Sequence, residues 1–349
     1  SCRGEEQLYY PKFESQADVY RFIIDSLDVA NSRYNLQKGL QFNTNGDKMY
    51  CTSSSDLEGI LKWKKFTNSL RLRALLRVID SDELGNLAKA ELKKMMADPA
   101  TYPVFESNDD NAKVHISGIA PDEAPMTRPS DLSSYKSLSE FFINRLQAWK
   151  DPRLAVFAKQ ATNKNPETGK NEKSYIGLPS GYDVEPTFTA SSPNAANLAT
   201  APQDIQCLTY AEVLFIKAEL AQRGLISDDA KQLYEKAVTA AITQWGVEVP
   251  EGYFENEKAA YDGTLRRIME QKFYALFFID FQQWFEYNRT GYPDVPKGPG
   301  VDASLHMPYR FKYPAILQRM NRNHYLEAVQ SMGGDDFDTK LIWQKRPEL

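Results

Sequence analysis

The sequence predicts an all-α fold: a scaffold of paired helices with long loops and minor β-structure. Three observations predict it. Amphipathic segments with capping residues recur along the 349-residue chain, sustained apolar/polar alternation is almost absent, and the first helix of the stretch from Thr209 to Gln244 is apolar on nearly every side. With 42% hydrophobic residues the chain can bury a sizeable core, and length alone allows one large domain or two ordinary ones.

Ser15, with Asp18 three residues on, forms a capping box, and Val19, Phe22, Ile23, Leu27 and Ala30 trace the face expected to meet the core. A polar turn at 43–47 and a serine-rich cap ending in Asp56 lead to a second helix, with Ile60, Trp63, Phe66, Leu70 and Ala74 at helical spacing. A third starts at Asp80 to Asp82 and runs through Met96, before Pro99. Arg71, Arg73 and Arg77 on this pair suggest either an anion site or, the preferred reading, salt bridges to acidic helices and a solvated face. Residues 99–137 form the first long loop, with five prolines from Pro99 to Pro129. Ser137 or Ser139 caps a short helix from Phe141 to Trp149, which Asp151-Pro152 stops, and 162–206 is a second irregular region.

The central unit is a helical hairpin over 209–244. Gly224 ends its first helix, and Ser227-Asp228-Asp229 opens its second. Along the first helix Tyr210, Val213, Leu214, Ala218 and Ala221 make one apolar face, while Ala211, Phe215, Ile216 and Leu220 make the other side apolar too. Ala218, Ala221, Ala230, Tyr234 and Ala237 follow tetratricopeptide spacing, with alanines where paired helices approach closely; Ile242 stands where that pattern has proline. Tyr253 to Tyr261 reads as another short helix. The longest helix starts at Asp262 or Thr264 and ends at Arg289, with Gly291 and Pro293 beyond; about 25 residues make it roughly 37 Å long. Its stripe of Phe273, Phe277, Phe281, Trp284 and Phe285 is expected to be core against the hairpin. A third loop, 293–315, contains Tyr309-Arg310-Phe311-Lys312-Tyr313, whose alternation allows a short strand or an extended wall.

Several chemistries lose their support. A net charge of -5 argues against a phosphate-backbone binder, so no nucleic-acid partner is expected. Cys2, Cys51 and Cys207 are too few and too scattered for a disulfide framework or zinc site, although one bridge stays open. His115, His306 and His324 lie in separate segments, and no P-loop, G-x-G-x-x-G or G-x-S-x-G occurs. No cofactor or metal is therefore expected. Asp335, Asp336 and Asp338 lack the spacing of a calcium loop and read as a polar turn. Glu212 and Glu219, on one helix face, raise the question of a glycosidase acid pair, but Arg223 at i+4 from Glu219 favours a structural reading.

Leu208 to Gly224, LTYAEVLFIKAELAQRG, resembles the signature helix of the SusD/RagB family of surface nutrient-binding lipoproteins. Further blocks fit in order: WKKFTNSLRLRALLRV, DPRLAVFAKQA with SYIGLPSGYD, QKFYALFFIDFQQWFEYNRTGYPDV, and YRFKYP with TKLIW. The resemblance runs from about Leu8 to the C-terminus and implies a single domain over 1–349. It departs at the front, where the family has a further helical-repeat region that supplies much of its ligand site. The resemblance implies a non-catalytic protein on the outer face of a Bacteroidetes-type outer membrane. Such a protein captures an oligosaccharide, or a peptide, and hands it to a SusC-like TonB-dependent transporter. The rivals are a helical glycoside hydrolase and a tetratricopeptide protein-interaction scaffold.

Within that reading, Ser1-Cys2-Arg3-Gly4-Glu5-Glu6 looks like a lipoprotein start with Cys2 lipidated, although Leu8 onward leaves almost no tether. Sugar binding asks for aromatic faces against pyranose C–H groups and polar groups for hydroxyls. Tyr102, Phe105, Tyr175 and Tyr182 in the two long loops fit the first need, and Asn108, Asp109, Asn171 and Asp183 the second. Tyr175 and Tyr182 flank the turn from Gly177 to Gly181, which is expected to bring backbone close to a ligand.

Overall fold

The computed structural model describes residues 10–39, 46–50, 56–123, 137–165, 167–181, 198, 200–302, 304, 305 and 307–345. Helices dominate, as the periodicity requires. The opening helix α1 (Gln16–Arg33) is capped by Ser15, whose hydroxyl accepts from the Asp18 amide and donates to the Asp18 carboxylate. Its buried face is not the expected one. Ala17, Ile24 and Asn31 point inward, whereas Val19, Phe22 and Ile23 are exposed. The reason lies in α2 (Asp56–Arg77), the helix it packs on. Arg71 of α2 is buried and must find acceptors, which it takes from the Ile24 carbonyl (3.2 Å) and Asp28 (3.1 Å), while Asn68 donates to Asn31 (2.8 Å). Polar partners therefore set the rotation of α1, and an apolar count alone misplaces it by part of a turn. Helix α3 (Gly85–Ala97) then packs back on α2.

The two long loops carry the minor β-structure. Strand β1 (Ala112–Ile116) pairs antiparallel with β4 (Gln203–Leu208), and β2 (Ala161–Lys164) forms a hairpin with β3 (Asn171–Ser174). Between them run α4 (Glu140–Trp149), capped by Ser139, and the short α5 (Arg153–Phe157). No strand forms over 309–313.

The hairpin of α6 (Tyr210–Gln222) and α7 (Ala230–Thr243) is the centre. Thr209 and Asp229 supply the N-caps, and Gly224 takes a φ of +67° between the helices. Helix α6 is buried on both sides because two cores share it. Ala211, Leu214, Phe215 and Ala218 join the core under α4, α5 and α7, while Val213, Ile216 and Leu220 join the one under α1, α2 and α3. The segment after the hairpin makes only a single 3-10 turn at Tyr253–Glu255, not the expected short helix.

The expected longest helix is two helices. Helix α8 (Leu265–Ala275) and helix α9 (Gln282–Thr290) are separated by turns in which Phe278 (φ 65°) and Asp280 (φ 45°) adopt left-handed backbone. In a continuous helix Lys272 and Glu286, 14 residues apart, would lie roughly 21 Å from each other along the axis. The break folds α9 back beside α8, so that the Lys272 ammonium and the Glu286 carboxylate meet at 2.7 Å. The aromatic stripe is divided accordingly. Phe273 and Phe277 pack on the core, but Phe281 is 52% exposed and Trp284 only half-buried. The chain closes with α10 (Leu317–Met320) and α11 (Arg322–Met332).

A buried ionic network ties these layers together. Arg289 makes a two-pronged contact with Glu219 (2.8 and 2.7 Å) and reaches Glu286 (2.7 Å). Glu286 also meets Lys272 and, at 3.3 Å, Arg77. Arg223 adds 2.9 Å contacts to Glu219 and Asp80, and Arg73 clamps Glu212 at 2.6 Å. The three arginines of α2 thus form salt bridges, as expected, but not on a solvated face: Arg71 is 2% and Arg77 7% exposed. Burial pushes the Glu219 and Glu286 carboxyls up, and the surrounding cations together outweigh it, Arg289 first with Arg223 and Lys272 at Glu219 and with Lys272 and Arg77 at Glu286, holding Glu219 below and Glu286 well below the usual range.

Removing one partner of a buried pair leaves an uncompensated charge, so Arg289→Ala is expected to cost about 3–5 kcal/mol in chemical denaturation. A loss no greater than that of an exposed arginine would show the network to be dispensable. The sign of the pH effect follows from the depressed carboxyls. The folded state holds Glu219 and Glu286 ionised below the ordinary value of 4.5, so the unfolded chain binds more protons there. Their stabilisation is complete above pH 4.5 and is lost as pH falls through the lower folded values. Melting temperature is expected to be flat from pH 7 to 5 and to fall steeply below, with a shallower acid limb in Glu219→Gln.

Candidate functional site

The residues singled out for chemistry separate into those the frame consumes and those it presents. Glu212 and Glu219 are consumed: they are 2% and 0% exposed and fully engaged by Arg73, Arg223 and Arg289. Asp151 is likewise held by Arg153 (2.6 Å) and the Tyr253 hydroxyl (2.8 Å) inside the core. Asp335 pairs with Arg310, and Asp336 accepts from the Asp338 and Thr339 amides, which makes the aspartate cluster the expected polar turn. Cys207 is a half-buried free thiol. Among the described residues no group of histidine, cysteine and acidic side chains has metal-site geometry, and no helix is long and apolar enough to cross a membrane.

Among the described residues, the predicted ligand aromatics Tyr102, Phe105 and Tyr175 are not brought together. Phe105 is fully buried, stacked on Phe66 at 6.4 Å, and offers no face to a ligand. Tyr102 is 8% exposed, with Arg71 and Lys94 set over its ring at 5.8 and 5.3 Å. Both belong to the core under α1 to α3, because the loop that carries them is pulled down onto α2: the Phe105 amide donates to Ser69 and the Pro103 carbonyl accepts from Asn68. Tyr175 is partly buried against the other core, with its carbonyl accepting from Gln147. Tyr182, Asp183 and Cys2 lie outside the described residues. The glycines of the 177–181 turn serve loop packing. A Cβ at Gly177 would sit 2.2 Å from Glu140 backbone, and one at Gly181 2.7 Å from Gly298, where the second loop crosses the third.

What the structure does assemble is a cleft of about 620 Å³ over α7, a volume suited to a small ligand. Its wall is the loop segment Glu106, Ser107 and Asn108, its floor is α7 from Gln232 to Thr243, and Tyr210 and Phe254 supply aromatic surface. Asn108 pins the loop to the helix by donating to the Ala240 carbonyl and the Thr243 hydroxyl, both at 3.1 Å. Its own amide oxygen is buried without a protein partner. Lys65 holds the wall from behind, bridging Glu106 (2.7 Å) and Asp110 (2.9 Å). Burial raises the Tyr210 hydroxyl, and Glu106 and Asp110 add to the shift, so that phenol is neutral at physiological pH and able to donate a hydrogen bond. Gln232 and Lys236 project from the exposed side of α7, and the half-buried Glu235 and Thr239 line the cleft beside them.

Of the hydroxyl-binding candidates among the described residues, only Asn108 lines this cleft. The others that line it escape a sequence reading for two reasons. Tyr210 falls in an apolar helical stripe and reads as core, and Phe254 sits in a segment that reads as an ordinary helix. The local signal that remains is the polar run at 232, 235, 236, 239 and 243 on a helix whose other side is alanine-rich.

Paired helices around a central hairpin whose first helix is buried on both sides, with loops laid over it, define a helical-repeat scaffold. Residues 1–314 match the SusD-like family model, described as starch-binding and associating with the outer membrane, and the chain belongs to that family. Among solved structures, it is similar to a chitin-binding protein, with 26% identity over 98% of this chain and 75% of that one and a TM-score of 0.79. An outer-membrane protein of Bacteroides vulgatus assigned to nutrient binding gives 26% identity over 99% and 79%, with a TM-score of 0.80. A SusD homologue of Bacteroides fragilis gives 25% identity over 98% and 78%, with a TM-score of 0.77. The comparison with curated proteins returns no match.

The cleft makes its own prediction. Gln232→Ala/Lys236→Ala changes only exposed side chains, so the melting temperature is expected to stay within about 1 °C while oligosaccharide affinity falls about tenfold, read by calorimetric titration. Unchanged affinity would remove the cleft from consideration.

Proposed function

We propose that this protein is a non-catalytic cell-surface receptor that holds a nutrient oligosaccharide in the α7 cleft and delivers it to a partner TonB-dependent outer-membrane transporter. Membership of a family described as starch-binding and outer-membrane-associated supports the ligand class and the location, and the similar structure named as chitin-binding supports a polysaccharide-derived ligand. The observation that carries the cleft's part is its lining: two aromatic rings facing side chains that donate and accept hydrogen bonds, on a helix fixed by the central core. A rigid helical floor costs little ordering entropy on binding. Attachment to the membrane is proposed to run through a lipid on cysteine, Cys2 being the candidate, and an anchored receptor needs only modest intrinsic affinity for its transporter.

The chain carrying its native leader, expressed in a Bacteroidetes host, is expected to co-purify from outer membranes with a TonB-dependent transporter. The purified protein is expected to bind maltoheptaose or chitohexaose without releasing reducing ends. Glu106 and Glu235 both line the cleft, so release of reducing ends that ceases in Glu235→Gln would replace the receptor reading with the glycosidase one. Absence of any transporter from the purified complex would remove the delivery step.

A further inference from the structure

Beside the α7 cleft lies a second cavity, of about 480 Å³, in the size range of small-ligand sites. The 3-10 turn Tyr253–Glu255 stands between the two: Phe254 lines the cleft, while Tyr253 and Glu255 on either side of it line the cavity. Three residues span at most about 11 Å even when fully extended, so the lining of one begins within that reach of the lining of the other. The turn is held firmly. The Glu255 amide donates to the Gly252 carbonyl at 3.0 Å, and Asn256 Nδ2 donates to the Ala148 carbonyl at 2.9 Å. The Tyr253 hydroxyl donates to Asp151 at 2.8 Å and accepts from Gln271 at 3.1 Å. Walls fixed in this way cost a ligand little ordering entropy.

The end of α4 completes the cavity, and there Trp149 stands out. It is fully buried and packed edge to face with Tyr274 at 4.9 Å, yet its indole Nε1 has no protein hydrogen-bond partner among the described residues. A buried N–H left unpaired costs free energy, and native structures seldom keep one without a use. The cavity that the same side chain lines is where an acceptor can reach it. The rest of the lining sets Lys150 and Lys258 against Glu251 and Glu255, all four exposed. Their charges cancel, so a neutral ligand rich in hydroxyls, each able to donate and to accept, matches this surface better than an ion does.

We propose that this cavity is a second subsite for the oligosaccharide held in the α7 cleft: the glycan crosses the Tyr253–Glu255 turn and presents a hydroxyl oxygen to the Trp149 indole N–H. The inference deepens the receptor reading given above and rests on it. Continuity across the shared turn, the balanced lining and the unpaired donor name the occupant as the next residues of the same sugar chain. Two subsites so close together make chain length a determinant of affinity, since a sugar segment bound in one is held at high local concentration over the other.

The test uses the full chain and calorimetric titration with maltotriose and maltoheptaose, and with chitotriose and chitohexaose. In the series that binds, the parent is expected to hold the long member about tenfold more tightly than the trisaccharide. Glu251→Ala/Lys258→Ala changes only exposed side chains; it is expected to melt as the parent does and to lose that margin. Trp149→Phe keeps an aromatic ring and removes the unpaired N–H. It is expected to bind the long member about fivefold more weakly, the worth of one hydrogen bond. The surface pair decides the question by itself, because neither of its side chains is buried. A parent indifferent to chain length, or a surface pair that keeps the parental margin, overturns the subsite and leaves the cleft reading intact. An equal loss for long and short members in the surface pair also overturns it. A parent that binds neither series overturns this inference together with the ligand class on which it rests.

Discussion

Glu219 sits at the middle of a helix that has a hydrophobic core on each side, and the two-pronged grip of Arg289 is what makes its burial tolerable. A carboxylate cannot be ionised in that position without a cation, and Arg289 cannot be buried there without anions. The pairing therefore fixes where α9 must lie relative to α6. Glu286 extends the constraint to Lys272 of α8 and Arg77 of α2, so one connected set of charges holds four helices in register. Apolar packing fills the space around these contacts, but it is the ions that have directional demands.

That frame explains which polar side chains stay at the surface. Charges that must pair inside the protein are withdrawn from chemistry, which is why the acids on α6 are unavailable as a catalytic couple. The side of α7 turned away from α6 carries no such obligation. It keeps glutamine, lysine and threonine facing a loop that Asn108 pins across the helix, and a cleft results between the two elements. The same ionic demand that folds α9 back on α8 leaves Phe281 at the surface.

The described segments of the long loops are less free than their composition suggests. Their glycines and asparagines are occupied in holding backbone to backbone: Gly181 lies against Gly298, the Gly300 amide donates to the Gly181 carbonyl at 2.7 Å, and Pro103 and Phe105 are fastened to α2 by Asn68 and Ser69. A loop pinned in this way contributes rings to the core. Phe105 is the clearest case, an aromatic in a proline-rich loop that is nonetheless sealed from water.

The sequence by itself determined the helical class, the cap at Ser15, the hairpin around Gly224 and the all-round burial of its first helix, and the partnership of Arg223 with Glu219. Each of these is written in residues no more than a few positions apart, where helix period and capping chemistry act directly. Only the tertiary structure decided which face of α1 turns inward, that the helix predicted to run to Arg289 breaks after Ala275, that Tyr102 and Phe105 are core, and that Tyr210, Phe254 and the outer side of α7 enclose a cleft. The physical reason is common to all four. They depend on where distant charges and polar groups find partners, Arg71 at Ile24 and Asp28, Lys272 at Glu286, Asn68 at Pro103, Asn108 at Ala240, and a pairing across tens of residues leaves no periodic trace in the chain.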